Sequence, residues 1–218
     1  MKTLIQCTFI FLMLGMLASC KSDAKKTNAN PAAPAATSDS GEAYKIAPGT
    51  KINWMGQKVT GKHMGTINIS EGQLMVANNT ITGGNFTIDM NSINCTDLDE
   101  KSGKTKLEGH LKSPDFFDVA KYPTAKFEIT KVVTVKNNPN ITHNIFGNLT
   151  LKDVTKNIAF NTKLAVSDGK LISTVPNFKI DRTVFNVEYN SGKLTGIAKD
   201  KIILDEIQLG IPQLAAAK

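Results

Sequence analysis

The amino-acid sequence predicts an all-β domain of about eight antiparallel strands, closed into a barrel or folded as a sandwich, with one short helix in a connection. Three observations predict it. Apolar residues recur at every second position in row after row, turn-forming clusters separate the rows, and a single stretch switches to helical spacing.

The first row is Ile52, Trp54 and Gly56, followed by Ile67 and Ile69 after Gly65. Phe86, Ile88 and Met90 come next, opened by the Gly83-Gly84 pair. Then come Phe127, Ile129, Val133 and Val135; Ile145, Gly147, Leu149 and Leu151; and Ile158, Phe160, Leu164 and Val166. The last rows run from Leu171 to Ile180 and from Ile203 to Ile211. Such alternation gives each strand one buried and one solvated face, the mark of antiparallel sheet. Turns are expected at Glu71-Gly72, Asn78-Asn79, Asn137-Asn138-Pro139, Ser167-Asp168-Gly169 and Asn190-Ser191-Gly192.

Residues 104–112 (KTKLEGHLK) break the period. Leu107 and Leu111 are four apart, which makes one apolar stripe on a short helix, and Ser113-Pro114 ends it. The acidic cluster Asp97, Asp99 and Glu100 precedes this helix and reads as capping and dipole compensation rather than as a general acid–base pair.

Residues 1–19 read as an export signal. Met1-Lys2 supplies positive charge, an apolar core runs from Leu4 to Leu17, and small residues follow. The ending Leu17-Ala18-Ser19-Cys20 resembles a bacterial lipobox, which implies a lipidated Cys20 as the mature N-terminus; an ordinary signal peptide is the alternative. Two or three acyl chains hold a protein durably where one does not. Lys21, rather than Asp, then favours the outer membrane of the cell envelope, facing periplasm or surface. Residues 20–43 carry Lys, Ala, Asn, Pro and Ser without periodicity and read as a flexible linker, leaving residues 44–218 as the globular domain.

Composition narrows the function. Hydrophobic residues make up 41% of the chain, enough for a core. Lys+Arg 26 against Asp+Glu 19 leaves +7. Arg182 is the single arginine, however, so the forked donors that read guanine and phosphate are lacking and no nucleic-acid partner is expected. With Cys7 in the signal and Cys20 acylated, Cys95 alone remains and cannot form an internal disulfide; it reads as a small buried hydrophobe. His63, His110 and His143 match no HExxH or CxxC-type metal spacing, and no G-x-S-x-G elbow, Walker A loop or Rossmann glycine fingerprint occurs. Neither a metal, a cofactor nor an enzymatic activity is expected.

The string from Leu107 to Asp118 (LEGHLKSPDFFD), continuing to Lys121-Tyr122-Pro123-Thr124-Ala125-Lys126-Phe127, resembles the YceI-like family. So do residues 147–156 (GNLTLKDVTK), residues 59–65 (VTGKHMG) and Ile180-Asp181-Arg182-Thr183. Asp153 stands where many relatives have glycine, and Lys104 and Lys106 where many have arginine. The resemblance implies an extended antiparallel eight-stranded lipocalin-like β-barrel holding a polyisoprenoid or quinone-like apolar chain, in an extracytoplasmic protein for transport or storage.

An eight-stranded barrel can hold one small ligand among its inward side chains. The rows nominate Trp54, Phe86, Ile88, Met90, Phe127, Ile129, Leu149, Leu151, Phe160 and Phe178 for the apolar chain. Lys62, His63, His110 and Arg182, near turns in family-like motifs, are candidates for a polar head group. Each has a plainer reading: His63 bonding a neighbouring strand, His110 satisfying a helix end, Arg182 tying down a long loop, and the aromatics filling a core. The expected partners are thus an apolar lipid and the membrane through the anchor, with a second copy left open. An enzyme acting on an isoprenoid lipid within the barrel, and a ligand-free interaction protein, are the competing functions.

Overall fold

The computed structural model describes residues 24–36 and 41–218. Cys20 and the expected signal lie outside the described residues.

Long amphipathic strands joined by tight turns wrap into a closed barrel. Two short N-terminal strands, β1 (Lys25–Lys26) and β2 (Asn30–Pro31), precede the barrel strands. Those are β3 (Glu42–Ile46), β4 (Lys51–Lys58), β5 (Gly61–Ala77), β6 (Thr80–Cys95), β7 (Thr124–Thr134), β8 (His143–Leu151), β9 (Val154–Ser167), β10 (Lys170–Asp181) and β11 (Glu206–Ala217). β3 and β4 share one position in the wall, since both pair with β5 on one side and β11 on the other. The order (β3/β4)-β5-β6-β7-β8-β9-β10-β11 closes through β10 and β11, giving eight antiparallel barrel strands. Closure leaves no long free edge.

The turns follow local chemistry. Asn78 (φ 50) and Asn79 (φ 58) both lie in the left-handed region. This is the two-residue hairpin geometry that asparagine tolerates. At the β8–β9 hairpin the left-handed position falls on Lys152 (φ 56). Asp153 therefore meets no glycine-demanding backbone. The turn expected at Glu71-Gly72 is instead an irregularity inside β5, between Ile69 and Glu71. The pair marks a bulge in a 17-residue strand, where a glycine resembles a turn signal in sequence.

The helix α1 (Lys104–Lys112) has the expected bounds. Its capping differs from expectation: the N-cap is Gly103 in the left-handed region, with no side-chain cap and no acid in the first turn. Asp99 instead accepts from the Ser102 amide and hydroxyl in the preceding turn, at 2.7 and 2.6 Å. Asp97 bonds β5, and Glu100 bonds Thr105. The helix is stapled to the end of β6 by side chains: Glu108 accepts the Cys95 amide at 2.7 Å, and Lys104 pairs with Glu108 at 2.7 Å and donates to Asn94 at 2.8 Å.

Part of the expected linker lies on the barrel wall. β9 and β10 pair only near their hairpin, from Lys170↔Ser167 to Thr174↔Lys163, and then part. β1 runs parallel to β10 at Phe178 and Lys179, while β2 pairs with β9 at Asn157 and Lys156. Thr27 donates its amide to Lys179 and accepts the Ala159 amide, so one residue bonds both sides of the seam. Asn148 clasps Ala33 with two hydrogen bonds, 3.0 and 2.7 Å. Backbone pairing needs no apolar pattern, which explains why composition reads this segment as linker.

Candidate functional site

The barrel encloses a cavity of about 320 Å³ beside the end covered by α1. Its wall comes from alternate residues of the strands. β4 supplies Ile52, Trp54 and Gly56; β6 supplies Ile88, Met90 and Ile93; β8 supplies Leu149 and Leu151; β11 supplies Ile207 and Leu209. Leu107 and Leu111 of α1, with Phe116 and Phe117 beyond it, form the roof. The helix therefore packs at the barrel end, and its leucine stripe faces the hollow.

Trp54 is placed by its neighbours. Its indole N–H donates to the Thr66 carbonyl at 3.2 Å, leaving no unmet donor among apolar walls. The ring lies over Gly65, where a Cβ would stand 2.6 Å from it and 1.9 Å from the Asn94 carbonyl oxygen. Only glycine admits both the ring and the neighbouring strand.

The rim is polar and cationic. Lys58 and Lys62 flank the β4–β5 hairpin, and with Gln57, His63 and His110 they line the opening. Among the described residues no carboxylate forms an ion pair with Lys58 or Lys62. His63 bonds Asp97 through Nδ1 at 3.0 Å, leaving Nε2 as the ring's remaining polar atom. Asp97 also accepts the Met64 amide at 2.9 Å and the Cys95 thiol at 3.1 Å. Partial burial pushes the Asp97 carboxyl up, but the hydrogen bonds from Met64, Cys95 and His63 outweigh it and hold it below the ordinary carboxylate value. His110 stands 3.6 Å from Asp115 and edge-on to Phe116 and Tyr189, with centroids 5.0 and 4.7 Å away.

Arg182 lines the cavity, yet its donors are committed elsewhere. It is 1% exposed and donates to the carbonyls of Val187 (2.7 Å), Ile203 (3.0 Å) and Leu204 (3.2 Å), with Asp205 at 3.6 Å. These bonds gather the irregular connection between β10 and β11 against the barrel. Burial pushes the guanidinium down from its ordinary value, and the attraction of Asp205 opposes this. The guanidinium is a structural tie whose stem forms wall.

Of the sequence-nominated apolar residues, Trp54, Ile88, Met90, Leu149 and Leu151 line this cavity. Phe86, Phe127, Phe160 and Phe178 surround a separate void of about 40 Å³ deeper in the barrel. Ile129 is buried in the core and lines neither. The row expected from Ile203 becomes strand only at Glu206; Ile203 and Leu204, in the connection before it, and Ile207, near its start, line the cavity although sequence reasoning nominated none of them. It also missed the roof leucines as lining, although their helical stripe was visible.

Nothing in the described residues assembles three metal-ligating side chains. Cys95 is buried, and desolvation, followed by its bond to Asp97, raises its thiol pKa, opposite to what a nucleophile needs. What the site offers is shape, apolar surface and a cationic rim.

Comparison with known proteins agrees with this architecture. A UPF0312 protein of Pseudomonas aeruginosa is 37% identical over 90 residues, covering 37% of this chain and 44% of that one. Protein YceI of Escherichia coli is 37% identical over 106 residues, covering 46% and 52%. The chain thus matches about half the length of these curated relatives. Among solved structures, Burkholderia cenocepacia BcnA superposes with a TM-score of 0.58 at 18% identity, over 77% of this chain and 96% of that one. A polyisoprenoid binding domain from Saccharophagus degradans superposes with a TM-score of 0.55 at 15% identity, over 82% and 100%. The YceI-like domain family profile matches residues 39–212, so the chain belongs to the YceI-like family.

Proposed function

We propose that this protein binds a polyisoprenoid or quinone-like lipid, with the apolar chain in the barrel and the head group at the rim, and that it carries or stores that lipid outside the cytoplasm. The observation that carries this reading is the apolar cavity of about 320 Å³ opening past Lys58, Lys62, His63 and His110. Its walls offer a tail no hydrogen-bonding competition, and its rim offers donors to a phosphate or carbonyl head group. A neighbouring fold named for polyisoprenoid binding supports the same ligand class.

The energetics favour a carrier. Burying about ten isoprenoid carbons contributes about 8 kcal/mol relative to water. A tail coming from a bilayer is already out of water, so its transfer is close to neutral and release is as easy as loading. A lipidated Cys20 would hold the barrel beside that bilayer, at the outer membrane of the cell envelope. No step in this reading requires catalysis.

Native mass spectrometry of the gently purified chain, followed by solvent extraction, tests the reading. A bound apolar mass in the isoprenoid or quinone range supports it. Conversion of an added isoprenoid phosphate would favour an enzyme, and a barrel that excludes isoprenoids under all conditions would remove the carrier function.

A further inference from the structure

Two segments form one projecting face beside the barrel mouth: the tip of the β4–β5 hairpin, residues 57–62, and the connection before β11, residues 192–204. Backbone bonds hold them together. The Val59 amide donates to the Ile202 carbonyl at 3.4 Å, the Leu204 amide donates to the Gln57 carbonyl at 2.8 Å, and Lys58 bridges Ile203. Ile203 also donates its amide to the Asn190 carbonyl at 2.9 Å, so the connection is fastened at its start and its end. Between those points it reaches into solvent: a Cβ at Gly196, like one at Gly61 on the hairpin, would meet nothing within 4 Å.

The face combines exposed apolar tips with free lysines. Six large apolar side chains are exposed among the described residues, and three of them, Val59 (65%), Leu194 (45%) and Leu204 (40%), lie here. Lys58, Lys62, Lys199 and Lys201 stand among them, all exposed. Among the described residues none of these four forms an ion pair. Lys193 is held by Asp181 and Asp205 and adds no free charge. Asp200 is the single carboxylate in the two segments, so free cations outnumber it.

The geometry points to this face as a docking surface for an anionic lipid bilayer. A specific protein interface is built on a contiguous apolar centre, enriched in aromatic residues and arginine and poor in lysine. Neither segment contains an aromatic residue or an arginine, and lysines separate the aliphatic tips. A bilayer surface accepts that pattern. Val59, Leu194 and Leu204 enter the head-group layer, while the lysine stems lie along it and their ammonium groups meet lipid phosphates. Docking turns the barrel mouth, which Lys58, Lys62 and Leu204 also line, toward the head groups. Such contact needs neither an occupant in the barrel nor an N-terminal anchor.

The test is hydrogen exchange of the full chain on phosphatidylcholine vesicles, with and without about one third phosphatidylglycerol. An anchor would hold the chain on both, so the comparison isolates the face. Exchange over residues 57–62 and 192–204 should slow at least about fivefold on the anionic vesicles alone and recover at about 0.5 M salt. Residues 163–173, at the other end of the barrel, should be unaffected. Lys58→Glu with Lys199→Glu should abolish the slowing, since each lysine is worth about fivefold in partition at an anionic surface. Tryptophan fluorescence gives a second readout, with Trp54 a background common to both variants. Brominated phosphatidylglycerol should quench Val59→Trp but not Ile172→Trp, at a residue equally open to solvent on β10. Equal slowing on both kinds of vesicle, slowing on neither, or quenching of Ile172→Trp in place of Val59→Trp overturns the assignment. So does slowing that appears without vesicles and grows with protein concentration, which would make the face an interface between copies.

Discussion

Replacing Arg182 by methionine keeps an unbranched side chain of similar reach, so the cavity wall and the contact with Phe116, whose ring lies 5.9 Å from the guanidinium carbon, are largely retained. What disappears is the set of donors. The carbonyls of Val187, Ile203 and Leu204 each lose a hydrogen bond, and Asp205 loses the cation 3.6 Å away. One Asp205 oxygen, Oδ1, is buried with no hydrogen-bond partner, so this cation is its main compensation. Deleting one partner of a buried charged pair costs about 3–5 kcal/mol, and each stranded carbonyl adds to the desolvation penalty. A wild-type barrel has about 5–15 kcal/mol of stability to lose. Arg182→Met is therefore expected to reduce unfolding free energy by about 3–5 kcal/mol in urea titration. Hydrogen exchange should quicken first between Arg182 and Asp205, because that connection is what the guanidinium gathers. A loss below about 1 kcal/mol, with exchange in the connection unchanged, would refute the assignment of Arg182 as the tie. Lysine at 182 should recover little, since one ammonium cannot reach three carbonyls lying in different directions.

Gly147→Ala places a Cβ 2.2 Å from the Phe127 ring and 2.7 Å from the Glu128 carbonyl. It should destabilise the barrel by about 2–3 kcal/mol in thermal denaturation. Asn148→Ala removes both bonds to Ala33 and the one accepted from Asn157, and should raise hydrogen exchange at the Ala159 amide and along residues 27–36 by at least about tenfold. His143 is buried with Nε2 unpartnered, and desolvation holds its pKa below the ordinary value of about 6.5. The unfolded chain then binds the proton more readily, so stability is full above about pH 6.5 and falls as pH drops through that value. His143→Leu should abolish this loss between pH 7 and 5, measured by urea midpoints. The carboxylates of Asp97, Glu108 and Asp181, held below their ordinary values, give up their contribution only at lower pH.

Legibility in the sequence followed the range of the interaction. The helix was readable to the residue because the Leu107–Leu111 stripe and the Ser113-Pro114 stop are local. Strand faces were readable because alternation is local too, and the inward parity of Phe86, Ile88 and Met90 is seen in their burial. Alternation reports direction, not volume. It cannot distinguish Leu149, which bounds the large cavity, from Phe127, whose ring packs against those of Phe86 and Phe160. Arg182 was legible only as a charge with alternative roles, since its carbonyl partners are separated by as much as 22 residues. The docking of residues 24–36 had no side-chain signature, because most of its bonds are made by backbone.

The division of the barrel into a packed and a hollow part has a thermodynamic reason to exist. At about 24 cal/mol per Å³, a dry void of about 320 Å³ costs about 8 kcal/mol, comparable with the net stability of a whole domain. Water at the open rim relieves part of that cost, but the inner walls offer it few partners. The burden is met elsewhere. The strand ladder closes on itself, the segment from Lys25 to Pro31 covers the seam where β9 and β10 part, and Arg182 fixes the long connection. None of these ties depends on what fills the cavity. Under the carrier proposal a ligand would enter and leave without taking the wall's hydrogen bonds with it, and its binding would add stability by mass action. Independence of wall from contents is what the proposed carrier requires, and in this chain the wall is held by backbone pairing and one buried arginine rather than by the apolar lining.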